Sequence, residues 1–156
     1  MDPEARLRGL GLSLPEPPKA FASYRPAVRS GALLHVAGQG PVRDGKVTTR
    51  GKVGATVTPE EAYEAARLSA LNALAIVKAH AGSLAAVRQV VRCTVFVASA
   101  PHFVDHPKVA DGATELLRAL WGERGLPARS AVGVASLPLD IAVEVELTFE
   151  LEPGTP

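Results

Sequence analysis

Residues 142–151 alternate strictly, with Val143, Val145, Leu147 and Phe149 on one side and Glu144, Glu146, Thr148 and Glu150 on the other. A period of two with one apolar side predicts a strand with one covered face and one open face. Val87–Ala98 alternates in the same way. Val91, Cys93, Val95 and Val97 are predicted to point one way, and Val90, Arg92, Thr94, Phe96 and Ala98 the other. Residues 59–81 change period. Thr58 is a suitable N-cap, Pro59 fits the first helical position and Glu61 completes a capping box. Gly82 supplies the stop. From Ala65 to Val77 this helix is apolar nearly all round and rich in alanine, so it must pack closely against a sheet and be covered on much of its other side. A second helix is predicted over residues 109–121, closed by Gly122.

Before the first helix the pattern reads as a hairpin. Residues 24–29 form one arm, Ser30-Gly31 the turn, and residues 32–37 an apolar second arm that ends at Gly38-Gln39-Gly40-Pro41. Asp44-Gly45 marks another turn, and residues 46–49 a short third strand. Residues 129–135 form the penultimate strand, with a turn at Leu137-Pro138. Strands broken by two helices predict an α+β fold: a mixed sheet with two helices on one face. The domain spans residues 21–152. Residues 1–20 are a lead segment with a helical turn near Pro3–Leu10 and a proline-rich extended stretch, and residues 153–156 are expected to fray.

Composition narrows the class. A chain of 156 residues is the size of one domain, and 47% hydrophobic with 21% charged residues is ordinary for a folded protein. Aromatics are only 4%, so Ala, Val and Leu must build the core, and subunit contacts are expected to complete its burial. Seventeen basic against sixteen acidic side chains leave a net charge of +1, which gives no electrostatic footprint for nucleic acid. No apolar run is long enough for a membrane span, and the first residues lack the apolar region of a secretory signal, so a cytoplasmic protein is expected. One cysteine, Cys93, excludes an internal disulfide and a cysteine-based zinc site.

The candidate chemistry is sparse. Residues 40–47 nearly match a phosphate loop, but Val47 has no hydroxyl for magnesium and Pro41 removes an amide donor, so a hairpin loop is the reading. His102 and His106 are four apart, yet Pro101 and Pro107 bracket them and predict a loop, so no metal site is assigned. His35 and His80 read as structural. Cys93, mid-strand among valines, reads as an inert core thiol. Arg129 directly follows Pro127-Ala128 and opens a strand of small residues. Its planar fork could grip a carboxylate through two hydrogen bonds, or it could close a salt bridge at the strand end. Glu144 could hold a water or shuttle a proton; it could also be one of several solvated carboxylates, or pair with Arg92.

Taken together, these residues resemble the Rid/YjgF family of reactive-intermediate deaminases, also known under the label endoribonuclease L-PSP. The resemblance rests on Tyr24, on residues 37–42 (AGQGPV), on residues 91–97 (VRCTVFV), and on Pro127-Ala128-Arg129-Ser130 followed by Val143-Glu144-Val145-Glu146. Residues 128–138 look like a less characterised subgroup with an extended N-terminal lead. The resemblance implies a chorismate-mutase-like α+β fold, a homotrimer with sites between subunits, and cofactor-free hydrolysis of 2-aminoacrylate-type enamine and imine acids to 2-oxo acids and ammonia. It implies that Arg129 binds the substrate carboxylate and Glu144 positions the attacking water. Gly38 and Ala131 would line the substrate, and Tyr24 would wall the site from the neighbouring subunit. The chain departs from the family pattern at Ala37 and Ala131, where many members carry serine and cysteine. The usual asparagine of the second helix has no clear counterpart; Asp111 and Thr114 fall near its place. Two other classes fit the same residues: a non-catalytic carboxylate-binding regulatory trimer, and an endoribonuclease.

Overall fold

A computed structural model describes residues 1–155; Pro156, the end of the expected frayed tail, lies outside the described residues. Five strands form the main sheet: β1 (Ala27–Ser30), β2 (Leu33–Gln39), β5 (Val87–Ala98), β6 (Ala128–Val134) and β7 (Val143–Leu151), in the order β1-β2-β7-β5-β6. Only β5 and β6 pair in parallel; the β1–β2, β2–β7 and β7–β5 pairings are antiparallel. A small hairpin of β3 (Val42–Arg43) and β4 (Lys46–Val47) stands apart, turned by Asp44 and Gly45 at φ values of 52° and 75°. Two positive φ values in a row are what a two-residue hairpin turn requires, and Asp-Gly supplies them at little strain.

Two long helices, α2 (Pro59–Ala81) and α3 (His106–Trp121), cover one face of the sheet. The capping box of α2 forms as expected: Glu61 N–H donates to Thr58 Oγ1 at 3.1 Å, and Thr58 N–H to Glu61 Oε2 at 2.8 Å. Gly82 ends the helix at φ 79°. The alanine-rich centre of α2 is buried, and so are Val143, Val145, Leu147 and Phe149 opposite it. At Gly112 of α3 the backbone of α2 lies close by. A β-carbon there would stand 2.8 Å from the Tyr63 carbonyl carbon.

Three details differ from the sequence expectation. The first arm of the hairpin begins at Ala27 rather than at residue 24, because Pro26 has no amide to join the ladder and holds Arg25 away from regular pairing. The alternation of β5 breaks at a bulge between Val90 and Arg92. Val90 turns into the core there and Val91 is left half-buried, the reverse of the strict two-residue period. The α3 helix starts at His106, not in a loop, since Pro107 falls in the first turn, where a missing amide costs nothing. The helical turn expected near Pro3–Leu10 is found as the helix α1 (Pro3–Gly9), ahead of the two on the sheet. It docks its buried Leu7 beside α3, and Glu4 accepts hydrogen bonds from Lys78 Nζ, Ser83 Oγ and Leu84 N. Beyond β7, Glu152–Thr155 forms a turn whose last carbonyl accepts from Arg29 Nη1 at 2.8 Å.

Candidate active site

The β5–α3–β6 unit builds the environment of Arg129. In the parallel pairing Arg129 lies across from Cys93, whose side chain is fully buried beneath the helices, so Arg129 points to the helix-covered side at the sheet's edge. There Nη1 donates to Asp111 Oδ1 at 2.7 Å and to Thr114 Oγ1 at 3.0 Å, both on α3. Among the described residues Nε and Nη2 have no partner. That edge of the guanidinium is the pair of parallel donors that matches a carboxylate. A cleft of about 300 Å³ opens beside it, lined by Asp111, Thr114, Glu115, Arg118, Leu126 and Pro127 as well as Arg129. The salt-bridge alternative left open by the sequence is therefore realised on one edge only. Asp111 and Thr114 were visible as the residues nearest the family's asparagine; what a one-dimensional reading lacks is that both would converge on one nitrogen.

Ala131 follows two residues along the same face, partly buried against the core. Gly133 comes next. A β-carbon there would stand 2.9 Å from Ser99 Oγ, and the Ser99 hydroxyl lies 3.0 Å from His106 Nε2, so the missing side chain admits that pair.

Glu144 is elsewhere. It lies across from Phe96 on the open face of the sheet, half-buried. Burial pushes its carboxyl pKa up, and the neighbouring Glu146 adds to the rise. Gly38 is its close companion: a β-carbon on Gly38 would sit 2.8 Å from the Glu144 carboxyl carbon. Asn72, fully inside α2, fixes the chain just beyond by donating from Nδ2 to the Gly40 and Val42 carbonyls at 3.0 and 2.9 Å. Sequence reading missed Asn72. Its signal was a lone amide in an otherwise apolar helical run, since a buried amide must find partners. Tyr24 lies half-exposed before β1, at the sheet edge opposite β6.

One chain thus brings together Gly38 with Glu144, and Arg129 with Ala131, but not the two pairs with each other. Cys93 is inert: burial pushes its thiol up to about 12, against a small opposing pull from Arg129. A larger cleft of about 560 Å³ at the start of α2 holds none of the predicted residues. Glu60, Glu61 and Glu64 face one arginine, Arg50, across it, a balance that repels a small anion.

The family model described as "YjgF/chorismate_mutase-like, putative endoribonuclease" matches residues 4–151. The chain belongs to the YjgF family. It is 42% identical over 148 residues to Protein TCP17 of Trypanosoma cruzi, covering 94% of this chain and 92% of that one. The crystal structure of Atu1372 from Agrobacterium tumefaciens, described as of unknown function, superposes with a TM-score of 0.90 at 43% identity, covering 96% of this chain and 92% of that chain. That of "a putative endoribonuclease" from Shewanella oneidensis MR-1 gives 0.94 at 36% identity, covering 97% and 100%. The mixed α+β architecture predicted for a YjgF-family chain is the one observed. Among the described residues no helix is long and apolar enough to cross a membrane.

Proposed function

We propose that this YjgF-family chain is a hydrolytic deaminase of small 2-imino and enamine carboxylates that works, without a cofactor, as a closed ring of identical subunits, a homotrimer. The observation that carries this reading is that Arg129 lines a cleft of small-molecule size while only its Nη1 is engaged, which leaves the Nε/Nη2 edge without a partner among the described residues. It supplies a two-point hold on a carboxylate, and small neighbours leave the guest room.

The chemistry asks little of the protein. An imine carbon is already electrophilic, so holding substrate and water in line is the main requirement. Water oxygen adds to C2 while Glu144 accepts the water proton. The nitrogen takes that proton and then the hydroxyl's, both passed through Glu144; the C–N bond breaks, ammonia departs, and the C2–O bond becomes the carbonyl of the 2-oxo acid. A carboxyl held above its usual pKa is a stronger base toward the water proton than an ordinary glutamate.

Arg129 belongs to one edge strand of the sheet, and Tyr24 precedes the other edge strand. A head-to-tail ring brings such opposite edges together, with Arg129 and Ala131 from one copy beside Gly38, Glu144 and Tyr24 from the next. The open sheet face with Arg92, Thr94, Glu146 and Thr148 would then line the inside of the assembly.

The test is 2-oxo acid formation from imino acids freshly generated by an amino acid oxidase. A rate above the uncatalysed background, abolished by Arg129→Ala, is expected. No rate above background rejects the activity, and full retention by Arg129→Ala removes Arg129 from the mechanism. RNA cleavage by nuclease-free protein would favour the endoribonuclease reading instead.

A further inference from the structure

We propose that Asp111 is the specificity-determining residue of the Arg129 cleft, seating the cationic nitrogen of an amphoteric 2-imino acid beside the carboxylate that Arg129 holds. The inference rests on the carboxylate-binding reading of that cleft and deepens it.

A lone arginine fork would take any small carboxylate. A deaminase built that way would hold its 2-oxo acid product as tightly as its substrate. Here Asp111 Oδ1 already engages Nη1 at 2.7 Å, so the pair is close to neutral as a unit. The second oxygen, Oδ2, has no partner among the described residues, and the side chain, 43% exposed, is one of those that line the cleft. A plain carboxylate docking on Nε and Nη2 gains two hydrogen bonds but meets the Asp111 charge at close range. A ligand with a protonated nitrogen one carbon from its carboxylate satisfies both charges at once: carboxylate on the free guanidinium edge, nitrogen on Asp111. In such a ligand the nitrogen and the nearer carboxylate oxygen are separated by about the length of one hydrogen bond, so its two charges can address the two halves of one ion pair.

The remaining charges of the cleft do not supply this discrimination. Glu115 Oε2 is taken by the Tyr63 hydroxyl at 2.5 Å. Arg118 is exposed and lies 3.9 Å from Glu123. Asp111 is the carboxylate in contact with the guanidinium itself. Hydrolysis then changes the ligand's fit: when the nitrogen leaves as ammonia, the product keeps its hold on Arg129, loses its partner on Asp111 and is repelled.

The test is calorimetric binding of pyruvate and L-alanine, which share a carbon skeleton and differ in the nitrogen, to the wild-type assembly and to Asp111→Asn. The wild type is expected to prefer alanine by about tenfold, the value of one charge-assisted hydrogen bond. Asp111→Asn keeps the shape and the bond to Arg129 but removes the charge, so it should tighten pyruvate, weaken alanine and erase the preference. Thr114→Val loosens Arg129 without altering charge, so both affinities should move together at constant ratio. Should Asp111→Asn fail to fold by circular dichroism, Asp111→Ser carries the same expectation. If both ligands bind and the ratio survives removal of the Asp111 charge, the inference is overturned while the cleft stands. If the wild type binds neither ligand, the carboxylate-binding reading fails and takes the inference with it.

Discussion

Arg129 and Glu144 lie on opposite faces of one sheet. Arg129 stands across from Cys93 on the side covered by the helices, and Glu144 across from Phe96 on the open side, with β5 between their strands. Two strand spacings of about 4.8 Å and three residues of about 3.3 Å further separate them, before the sheet's thickness is counted. No small acid reaches both within one chain.

A shared site makes a sharp expectation. If each site takes Arg129 from one copy and Glu144 from the next, inactive Arg129→Ala and Glu144→Gln proteins should rescue one another. Unfolded together in equal amounts and refolded, they place both native residues in about a quarter of the sites of a random ring. About a quarter of the wild-type rate is expected in the deaminase assay, with neither parent active alone. A mixture as inactive as its parents would show that the two residues do not serve one site.

Glu144 is a strained ionisation. Its carboxyl pKa is raised by burial and by Glu146, so the folded chain holds this proton more tightly than the unfolded chain does. Stability from this group is therefore present at acid pH, below the ordinary glutamate pKa, and is lost as pH rises through the raised value. Glu144→Gln should melt higher than the wild type at pH 7, and the gap should shrink toward pH 4. The same variant should lose deaminase activity. In the wild type the rate should fall on the acid side with an apparent pKa above the usual glutamate range, and Glu146→Gln should move that limb to lower pH. Thermal melts across pH and a rate profile read both effects.

Gly38 is the position on which Glu144 depends most directly. The β-carbon of Gly38→Ala would occupy the space of the Glu144 carboxyl group, at 2.8 Å from its carbon. The obstacle is the end of a flexible side chain, so the carboxylate should swing away and the backbone should hold. Gly38→Ala is expected to keep its melting temperature within a few degrees while losing most of its turnover, by at least about tenfold, because the water loses its anchor. A fully active Gly38→Ala protein would detach Glu144 from the chemistry.

Much of this arrangement was legible in the chain. The strict alternation of residues 143–151 and the Thr58/Glu61 box with Gly82 set β7 and α2 where they are found, because each rests on local geometry. The Pro127-to-Glu146 pattern marked Arg129 and Glu144. What escaped the sequence depends on tertiary placement. The bulge at Val90–Arg92 reverses which valine enters the core, and nothing local announces it. Pro107 reads equally as a break or as a helix's first turn. That Arg129 and Glu144 face apart follows from their partners on β5, Cys93 and Phe96, being an odd number of residues apart, and that Asp111 and Thr114 share one nitrogen of Arg129 follows from the crossover of α3 between two parallel strands. That relationship spans 18 residues between Asp111 and Arg129.

Asn72 extends the argument from the core to the site. It is 2% exposed, and its one amide group satisfies two backbone carbonyls, those of Gly40 and Val42, directly after the Gly38 segment. In Asn72→Ala both carbonyls lose the side-chain amide, and Gly40 keeps only the 3.0 Å bond from Val42 N–H, at a cost of about 1–3 kcal/mol. A merely structural role would lower the melting temperature and leave the folded enzyme's kinetics alone. If the amide holds the segment that sets Gly38 against Glu144, turnover at a temperature where the variant is fully folded should fall as well, while pyruvate binding to Arg129 stays unchanged because Arg129 keeps its own supports, Asp111 and Thr114. The pairing of lost kcat with intact ligand affinity is the result that separates positioning from stability.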